Sequence, residues 1–533
     1  MKGERLFRIL GLVDEDLIEE ADIASSPVAS KRRFPRKRYL AAAACLGVVC
    51  ALSFALLMNN SRGGSKSAPA ESADANSGSG IAHDSEPLSV EGTTFMSYAG
   101  PVFPLTLTEE TDGVTAERST TWNFTPGTYL GSSEPRQWGA EVTDSYVLTN
   151  HTTRDILAMA CYPVSGSLSN LAEEKTAITV DGTEQEAALQ AGAYAGGFTN
   201  AGVDDGSTWN LKGPGSWTDY KTLLEDGSYQ QAAFEDIPAL NLPVTVYEFS
   251  DYVLPENAPD AATQAMEFTI DPDRTIILTY NINGMSRNET SGWRQYSYFV
   301  PDGAGARRDT APRMLVVLGE DIGSYTLQGY EDGGCDPREE LAGVSCTVTR
   351  TETTLDAVLE RLCRSYTEEV EWQLSVDAKS VFDILSLELF QDKAAELMIQ
   401  YGMLAGENMA DRYSDGRLGA IVSETLVQER VLYWTFPITI PAGDRVEITA
   451  SFEKAPSFDY GCSGSENVGL QGYDYVTRLG SNLDFTVQKA ALTNTDNIEI
   501  TKQNFGFDLE TGITEVLLDP NQAHYYLEIR PKK

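Results

Sequence analysis

The sequence predicts a mainly β protein with sandwich-like extracytoplasmic domains, a helical insertion and one N-terminal transmembrane helix. Three observations predict this fold class: period-two alternation of apolar residues beyond residue 91, helical spacing near residue 355, and an uncharged apolar run near the N terminus. Period two is typical of half-buried antiparallel strands. We therefore expect six segments: a cytoplasmic arm (1–39), a transmembrane helix (40–58), a flexible linker (59–90), a β-rich domain (91–350), a helical segment (351–406) and a β-rich C-terminal domain (407–533).

The apolar run, LAAAACLGVVCALSFALLM, occupies residues 40–58 and contains no charge. At about 1.5 Å rise per residue, a helix of this length just crosses a hydrocarbon core of about 30 Å. A cationic cluster precedes the run and favours a cytoplasmic N terminus; its members are Lys31, Arg32, Arg33, Arg36, Lys37 and Arg38. We expect a single-pass protein of the cell membrane with its bulk outside. The alternative is a cleaved signal peptide, whose apolar region is usually shorter, about 7–15 residues.

The linker expected over residues 59–90 is rich in Ser, Ala, Gly, Asn and Asp and nearly lacks apolar residues. Such a composition cannot form a core, so the segment should behave as a flexible coil. A coil of this length spans about 30 Å on average and separates the folded part from the membrane.

Residues 91–350 are expected to form short strands with one buried face each. The predicted buried faces are Val142, Tyr146 and Leu148; Ile156, Ala158, Ala160 and Tyr162; and Ile276, Leu278, Tyr280 and Ile282. A polar turn separates the first two strands, and Asn283-Gly284, a strong turn signal, follows the third. Short strands joined by such turns favour a sandwich.

Helical spacing replaces the alternation between residues 351 and 406. The first predicted helix carries Leu355, Val358, Leu359, Leu362 and Tyr366 on one face. Thr353 and Asp356 resemble a capping box at its start. A second helix is expected over about residues 381–404, ended by Gly402 and Gly406.

The C-terminal domain expected over residues 407–533 contains the clearest hairpin signal in the chain. Apolar residues alternate over residues 434–440 and again over residues 446–452, and Pro-Ala-Gly-Asp lies between them. This pattern predicts two paired strands with a tight turn. Further strands are expected from residue 470 to residue 530.

Charge is distributed unevenly along the chain. Residues 1–39 hold nine Lys/Arg and seven Asp/Glu, whereas the remaining residues hold 31 Lys/Arg and 72 Asp/Glu. An outer part this acidic repels nucleic acid and anionic lipid, so we expect no nucleic-acid partner.

Histidine is too scarce for most metal and nucleophilic sites. The chain has three, and His83 in the linker leaves only His151 and His524, both expected to be exposed turn residues. No HExxH sequence, GxSxG elbow or phosphate-binding glycine loop occurs, so we expect no metal or cofactor. Ser451 and Lys454 match SxxK, but on a strand they point in opposite directions. Acidic residues are abundant, so a pair of catalytic carboxylates is the open alternative.

The cytoplasmic arm combines a short apolar cluster with an acidic amphipathic segment that Asp14 begins. The residues expected to contact a partner are Leu6, Phe7, Leu10, Leu17 and Ile18. A helix this short is unstable alone, so it should fold on a protein partner. Its acidic residues argue against binding to the anionic membrane surface.

The sequence LGLVDEDLIEEAD, followed by the basic cluster and the Ala/Cys/Leu-rich run, resembles the N terminus of Firmicute (clostridial) single-pass proteins described as anti-sigma-factor-like. The resemblance covers about 60 residues and implies an arm that holds a sigma factor of the extracytoplasmic-function class. The chain lacks the His-x3-Cys-x2-Cys box of zinc anti-sigma proteins. Residues 142–164, with TDSYVLTN, resemble uncharacterised cell-surface β domains, a likeness that implies no activity.

Two functions remain open from the sequence. The first is a membrane-anchored β-rich protein that binds or senses an extracellular ligand of unknown identity and signals through its cytoplasmic arm. The alternative is an anchored envelope hydrolase that uses paired carboxylates.

Overall fold

The computed structural model describes residues 97–532, except 110, 125–126, 129–134, 137–138, 170, 172–175, 195–216, 302–311, 374–381, 383, 406–415, 460–468 and 520. The expected cytoplasmic arm, transmembrane helix and linker lie outside the described residues. Within the described part, no helix has the length and apolar character needed to span a membrane. The chain is mainly β and sandwich-like, as the alternation predicts.

A first β-sandwich is shared by strands that precede residue 195, apart from one separate pair, and strands that follow residue 428. The earlier strands are β1 (Ser97–Tyr98), β2 (Thr106–Leu107), β3 (Val114–Asn123), β4 (Gly127–Thr128), β5 (Pro135–Arg136), β6 (Ala140–Asn150), β7 (Ile156–Ser167), β8 (Ala177–Val180), β9 (Thr183–Glu184) and β10 (Ala188–Tyr194). Strands β4 and β5 are the separate pair, since they pair only with each other. Strand β6 has the predicted pattern, because Val142, Tyr146 and Leu148 are all fully buried on its inner face.

A second, smaller sandwich is inserted between the two halves of the first. Its strands are β11 (Pro243–Val253), β12 (Thr263–Thr269), β13 (Thr275–Tyr280), β14 (Gly284–Asn288), β15 (Trp293–Phe299), β16 (Met314–Gly319), β17 (Tyr325–Tyr330) and β18 (Ser345–Thr354). They form two four-stranded sheets in the orders β13-β16-β11-β18 and β14-β15-β12-β17. Phe249, Met266, Tyr298 and Leu315 belong to the apolar core of this inserted unit.

Helices precede and follow the inserted sandwich. They are α1 (Trp217–Glu225), α2 (Ser228–Phe234), α3 (Leu355–Gln373), α4 (Leu387–Gln400) and α5 (Leu418–Val427), and a short 3-10 helix spans Met403–Ala405. Helix α3 begins at Leu355, and Leu355, Val358, Leu359 and Leu362 are buried as its spacing predicts. The predicted capping box is wrong, because Thr353 in β18 pairs with Val244 and Thr354 Oγ1 instead accepts from Ala357 N at 3.3 Å. The second predicted helix is shorter than expected because Ser386 caps α4, its Oγ accepting from Leu389 N at 3.1 Å. Helix α5 was not predicted from its spacing.

The strands that complete the first sandwich follow the helices. They are β19 (Glu429–Ile440), β20 (Arg445–Lys454), β21 (Phe458–Asp459), β22 (Gln471–Val476), β23 (Asp484–Thr493), β24 (Ile498–Gln503), β25 (Glu515–Leu517) and β26 (His524–Pro531). One layer is the seven-stranded sheet β25-β23-β3-β6-β20-β8-β9, antiparallel apart from the β23–β3 pair. The opposite layer contains the sheets β10-β19-β7-β2 and β1-β21-β22-β26-β24.

Aromatic residues of the seven-stranded sheet contact both sheets of the opposite layer. Trp122 on β3 meets Tyr475 on β22 with ring centroids 5.4 Å apart, and Tyr146 on β6 meets Tyr162 on β7 at 6.4 Å. Edge-on contacts of this kind are favourable arrangements for buried rings. The two smaller sheets therefore act as one interrupted layer over the same core.

The predicted hairpin between residues 434–440 and 446–452 does not form. Strand β19 pairs with β7 and strand β20 pairs with β6, so the turn at residues 441–444 crosses from one layer to the other. The turn between β6 and β7 crosses in the same way. A period-two pattern shows which face of a strand is buried but not which strand pairs with it. Strands β19 and β20 lie in opposite layers, and each buries its apolar face in the core between them.

Asn150 joins the two crossing turns. Its buried Nδ2 group donates to the carbonyl oxygens of Arg154 and Ile440, each at 2.9 Å, and its Oδ1 accepts from Thr152 N at 2.8 Å. These bonds satisfy backbone groups at the end of the sandwich where both turns cross between the layers. At the opposite end, β7 and β20 end and β19 begins.

Candidate functional site

A pocket of about 60 Å³ lies at the end of the first sandwich where β7 and β20 end and β19 begins. Its walls come from the ends of β7, β19 and β20 and from residues 99–103, which run along the junction between the two smaller sheets. We call it the seam pocket. A water molecule needs about 10–15 Å³ of such space, so the pocket has room for about four.

The pocket exists because β7 loses one neighbour partway along its length. Strand β2 pairs with β7 only at Cys161 and Ala160, whereas β19 pairs with β7 to its end. Pro163 lies just beyond β2, at an edge where a missing backbone N–H is tolerated. The preceding chain instead pairs with the other sheet, through a bridge between Val102 and Tyr475. The gap between these contacts is the seam.

Three polar residues that line the seam pocket each have an unsatisfied buried atom. Ser165 Oγ, Thr176 Oγ1 and Trp434 Nε1 are covered by neighbouring atoms and have no hydrogen-bond partner among the described residues. Most buried polar groups in proteins are paired, and leaving one unpaired costs about 1–3 kcal/mol. Ser165 lies opposite Val431, whereas Leu432 and Trp434 lie on the other face of the β7–β19 pair, so the three atoms do not converge on one position.

Three charged residues also line the pocket. Burial raises the pKa of Glu429 from its ordinary value of 4.5 to about 7, and the nearby Lys454 ammonium opposes this shift. Lys454 is itself buried and donates to the carbonyl oxygen of Ala455 at 2.9 Å. Near neutral pH the Glu429 carboxyl therefore accepts or releases a proton readily. A second carboxylate, that of Glu453, lies on the same wall.

Apolar side chains form the rest of the pocket. Val102, Phe103, Leu432 and Phe452 are all at least nine-tenths buried and belong to the cores around it. An apolar pocket with a few polar groups is typical of sites that bind small molecules. The arrangement can hold a small ligand, orient it by hydrogen bonds and exchange a proton with it.

A second buried polar cluster surrounds Asp144 but is fully satisfied. Its carboxylate accepts from Arg118 Nε and Nη2 at 3.0 and 2.8 Å, and from the hydroxyls of Thr120, Tyr146 and Tyr162. Arg118 also donates to the carbonyl oxygens of two neighbouring segments. Buried ion pairs with complete hydrogen bonding hold a core in one arrangement. We assign this cluster to the fold.

The two histidines in the described residues differ from each other. His151 lies in an exposed turn, as predicted, with Nε2 2.8 Å from Thr115 Oγ1. The same prediction is wrong for His524, which is buried in β26 with Nε2 2.8 Å from Asp474 Oδ1. The first six residues of β26 are all buried, so both faces of this strand are covered, which the alternation of Tyr525, Leu527 and Ile529 did not indicate.

The other sequence-based candidates have separate outcomes. Ser451 lies beside Thr143, with their hydroxyl oxygens 3.5 Å apart, while Lys454 lines the seam pocket, so the SxxK residues do not form one site. No group of metal-binding side chains occurs in the part of the chain that the structure describes. Outside it lie the partner-binding residues and the cationic cluster of the arm: Leu6, Phe7, Leu10, Leu17, Ile18, Lys31, Arg32, Arg33, Arg36, Lys37 and Arg38.

No sequence pattern predicts the seam pocket. Alternation places Trp434 on an ordinary strand face, and Glu429 belongs to no motif. No protein-family model and no curated protein matches the chain. The functional conclusions therefore depend on the geometry of the pocket and on the N-terminal sequence.

Proposed function

We propose that this chain is a membrane-anchored, extracytoplasmic binding or sensing protein whose ligand occupies the seam pocket. One observation carries the binding part: the seam pocket combines apolar walls with three charged lining residues, Glu429, Glu453 and Lys454. An apolar pocket with a few polar groups is typical of sites that bind small molecules.

The experiment is a fragment screen on the full chain in detergent micelles, read by ligand-observed NMR. We expect a group of mutually competing fragments to bind the wild type and lose binding in Thr176→Met, because Thr176 lines the pocket and the longer side chain reduces its space. Ser451→Met is the matched control, because Ser451 lies on a strand of the same sandwich but not at the pocket. Equal binding by all three proteins would exclude the pocket as the site.

The N-terminal sequence supports the location and the signalling part of the proposal. The apolar run with its preceding cations favours a single-pass anchor with the folded part outside. The short amphipathic arm is suited to folding on a protein partner, and its resemblance to anti-sigma-like arms suggests a sigma factor. Titration calorimetry of residues 1–39 with a sigma factor from the same cell tests this part. No heat of binding at micromolar concentration would remove it.

One observation favours the second candidate, an anchored envelope hydrolase with paired carboxylates. Glu429 and Glu453 line the same pocket, and the raised pKa of Glu429 suits a general acid. Glu429→Gln and Glu453→Gln would each then lower glycan hydrolysis at least 100-fold. If the wild type releases no sugar from isolated cell walls, the hydrolase candidate fails.

A further inference from the structure

We infer that the chain pairs with a second copy of itself through β18, an edge strand of the inserted sandwich. The pairing joins the four-stranded sheet β13-β16-β11-β18 of one copy to that of the other, across a two-fold axis at Thr351. The inference follows from the open backbone of this strand and from the order of its charges. It concerns the inserted sandwich and does not depend on the seam pocket.

Strand β18 is a long edge strand with one open side. It has ten residues, and among the described residues it pairs only with β11. The opposite edge of the same sheet is covered, since the N–H of Thr279 on β13 donates to the carbonyl oxygen of Gly416 at 2.8 Å. A long exposed edge strand is a template on which another chain can add a strand.

The even-numbered residues of β18 direct their backbone groups to the open side. The N–H of Leu355, the residue after β18, donates to the carbonyl oxygen of Leu242, the residue before β11, at 2.9 Å. The two backbone groups of a strand residue point to the same side, and the side alternates along the strand, so odd-numbered residues face β11. The N–H and C=O groups of Val348, Arg350 and Glu352 therefore face no other strand in the described part of the chain.

The charges of β18 select one register for a pair of copies. Arg350 and Glu352 lie on one face of the strand, with side chains that are 44% and 73% exposed. A two-fold axis at Thr351 places Arg350 of each copy opposite Glu352 of the other, which is favourable. An axis moved by one residue places Arg350 opposite Arg350 or Glu352 opposite Glu352, and directly opposed like charges are unfavourable.

This register keeps the contacts that the two charges already make. Arg350 Nη2 donates to Glu352 Oε1 of its own strand at 2.8 Å, and Arg350 Nε donates to Asp321 Oδ2 at 2.9 Å. In the paired copies, the two Arg350 and two Glu352 side chains alternate in sign around the axis, so no ion pair has to break. Exposed ion pairs are weak one by one, so their main effect is to fix the register.

Backbone hydrogen bonds supply the binding free energy. In the register at Thr351, Arg350 pairs with Glu352 and Val348 pairs with Thr354 of the second copy. These pairs and their symmetry mates exchange about eight backbone hydrogen bonds. Threonine and valine are also favourable residues for a strand. A contact of this kind is small, so we expect the two copies to associate weakly and reversibly.

The first test is a disulfide at the axis, formed in the full chain in detergent micelles with a mild oxidant. Thr351 faces Thr351 of the second copy at a non-hydrogen-bonded position, where Cα atoms are about 4.5 Å apart, within the range of about 4.4–6.8 Å that a disulfide spans. Thr349→Cys is the matched control, because its two copies lie four residues apart along the strands, about 14 Å. We expect a linked dimer from Thr351→Cys and none from Thr349→Cys, although both variants retain the same native cysteines.

The second test exchanges the charges and measures self-association by sedimentation equilibrium in density-matched micelles. Glu352→Arg retains the contact of Arg350 with Asp321 but opposes two cations on each side of the axis, so it should weaken association about tenfold. The double variant Arg350→Glu/Glu352→Arg restores opposite charges across the axis and should return the dissociation constant to within about threefold of the wild type. This recovery distinguishes a lost charge pair from a disturbed fold.

Three results would overturn the inference. They are the absence of a linked dimer from Thr351→Cys, an equal yield of linked dimer from Thr349→Cys, and self-association that Glu352→Arg leaves unchanged. None of them bears on the proposed function, because the fragment screen tests the seam pocket in the other sandwich.

Discussion

Arg118 and Asp144 form an ion pair at the centre of the first sandwich, with Nη2 and Oδ2 2.8 Å apart and both side chains fully buried. The Arg118 guanidinium also lies over the ring of Tyr475, with Cζ 4.3 Å from its centroid. The pair therefore connects the seven-stranded sheet to the opposite layer. Removing one partner would leave a charge in a site without water.

The first prediction concerns that pair. Asp144→Ala should lower the free energy of unfolding by about 3–5 kcal/mol, because Arg118 would remain buried without its counter-charge. Urea unfolding at pH 7 measures the change. The control is Glu320→Ala, which breaks the exposed pair with Arg274 and should cost at most about 1 kcal/mol. Similar losses in the two variants would show that the buried pair has no special role.

The second prediction concerns the joint between the crossing turns. Asn150→Ala should destabilise the protein by about 2–3 kcal/mol, since the carbonyl oxygen of Ile440 and the N–H of Thr152 lose their partner. Asn497→Ala, at an exposed position, should change stability by less than about 0.5 kcal/mol. Chemical unfolding of both variants checks the difference. A neutral Asn150→Ala would contradict the role of this residue in joining the layers.

The third prediction follows from the raised pKa of Glu429. The folded protein holds this proton more tightly than the unfolded chain, so stability falls as pH rises from about 4.5 to about 7 and is level above that window. Glu429→Gln should remove this component, about 1–3 kcal/mol between pH 5 and pH 7.5. Exposed Glu447→Gln should retain it. The same pH slope in wild type and Glu429→Gln would refute the assignment.

The fourth prediction concerns the proposed anchor. Protease added to intact protoplasts should release the folded part by cutting within residues 59–90, because polar flexible backbone is readily cleaved. The arm should remain protected inside the cell. Changing Lys31, Arg32, Arg33, Arg36, Lys37 and Arg38 to Gln should weaken this orientation while the apolar run still anchors the chain. A mature protein that begins near residue 60 and occurs in the medium would identify the run as a signal peptide.

Local pattern predicted much of the secondary structure but not its pairing. The buried faces of β6 and α3 follow directly from period-two and 3.6-residue spacing. The partner of a strand depends on residues far along the chain, as the pairing of Val142 with Phe452 shows. This is why two strands joined by a short turn entered facing sheets instead of a hairpin.

The seam pocket could not be predicted for a related reason. Pro101, Pro163, Trp434 and Phe452 lie in four distant segments, and none carries a motif of known spacing. The raised pKa of Glu429 arises from burial by those segments, which composition does not reveal. Arg118 is a similar case, because a single sequence gives no sign that a particular arginine is buried.

The most direct measurement of the central claim is the NMR signal of the Trp434 indole N–H. The full chain is labelled with 15N at tryptophan, the signals of Trp434 and Trp122 are assigned with the variants Trp434→Phe and Trp122→Phe, and fragments are added. The account predicts that binding fragments shift the Trp434 signal in a saturable way and leave the Trp122 signal unchanged. A Trp434 signal that no binding fragment shifts would contradict the seam pocket as the ligand site.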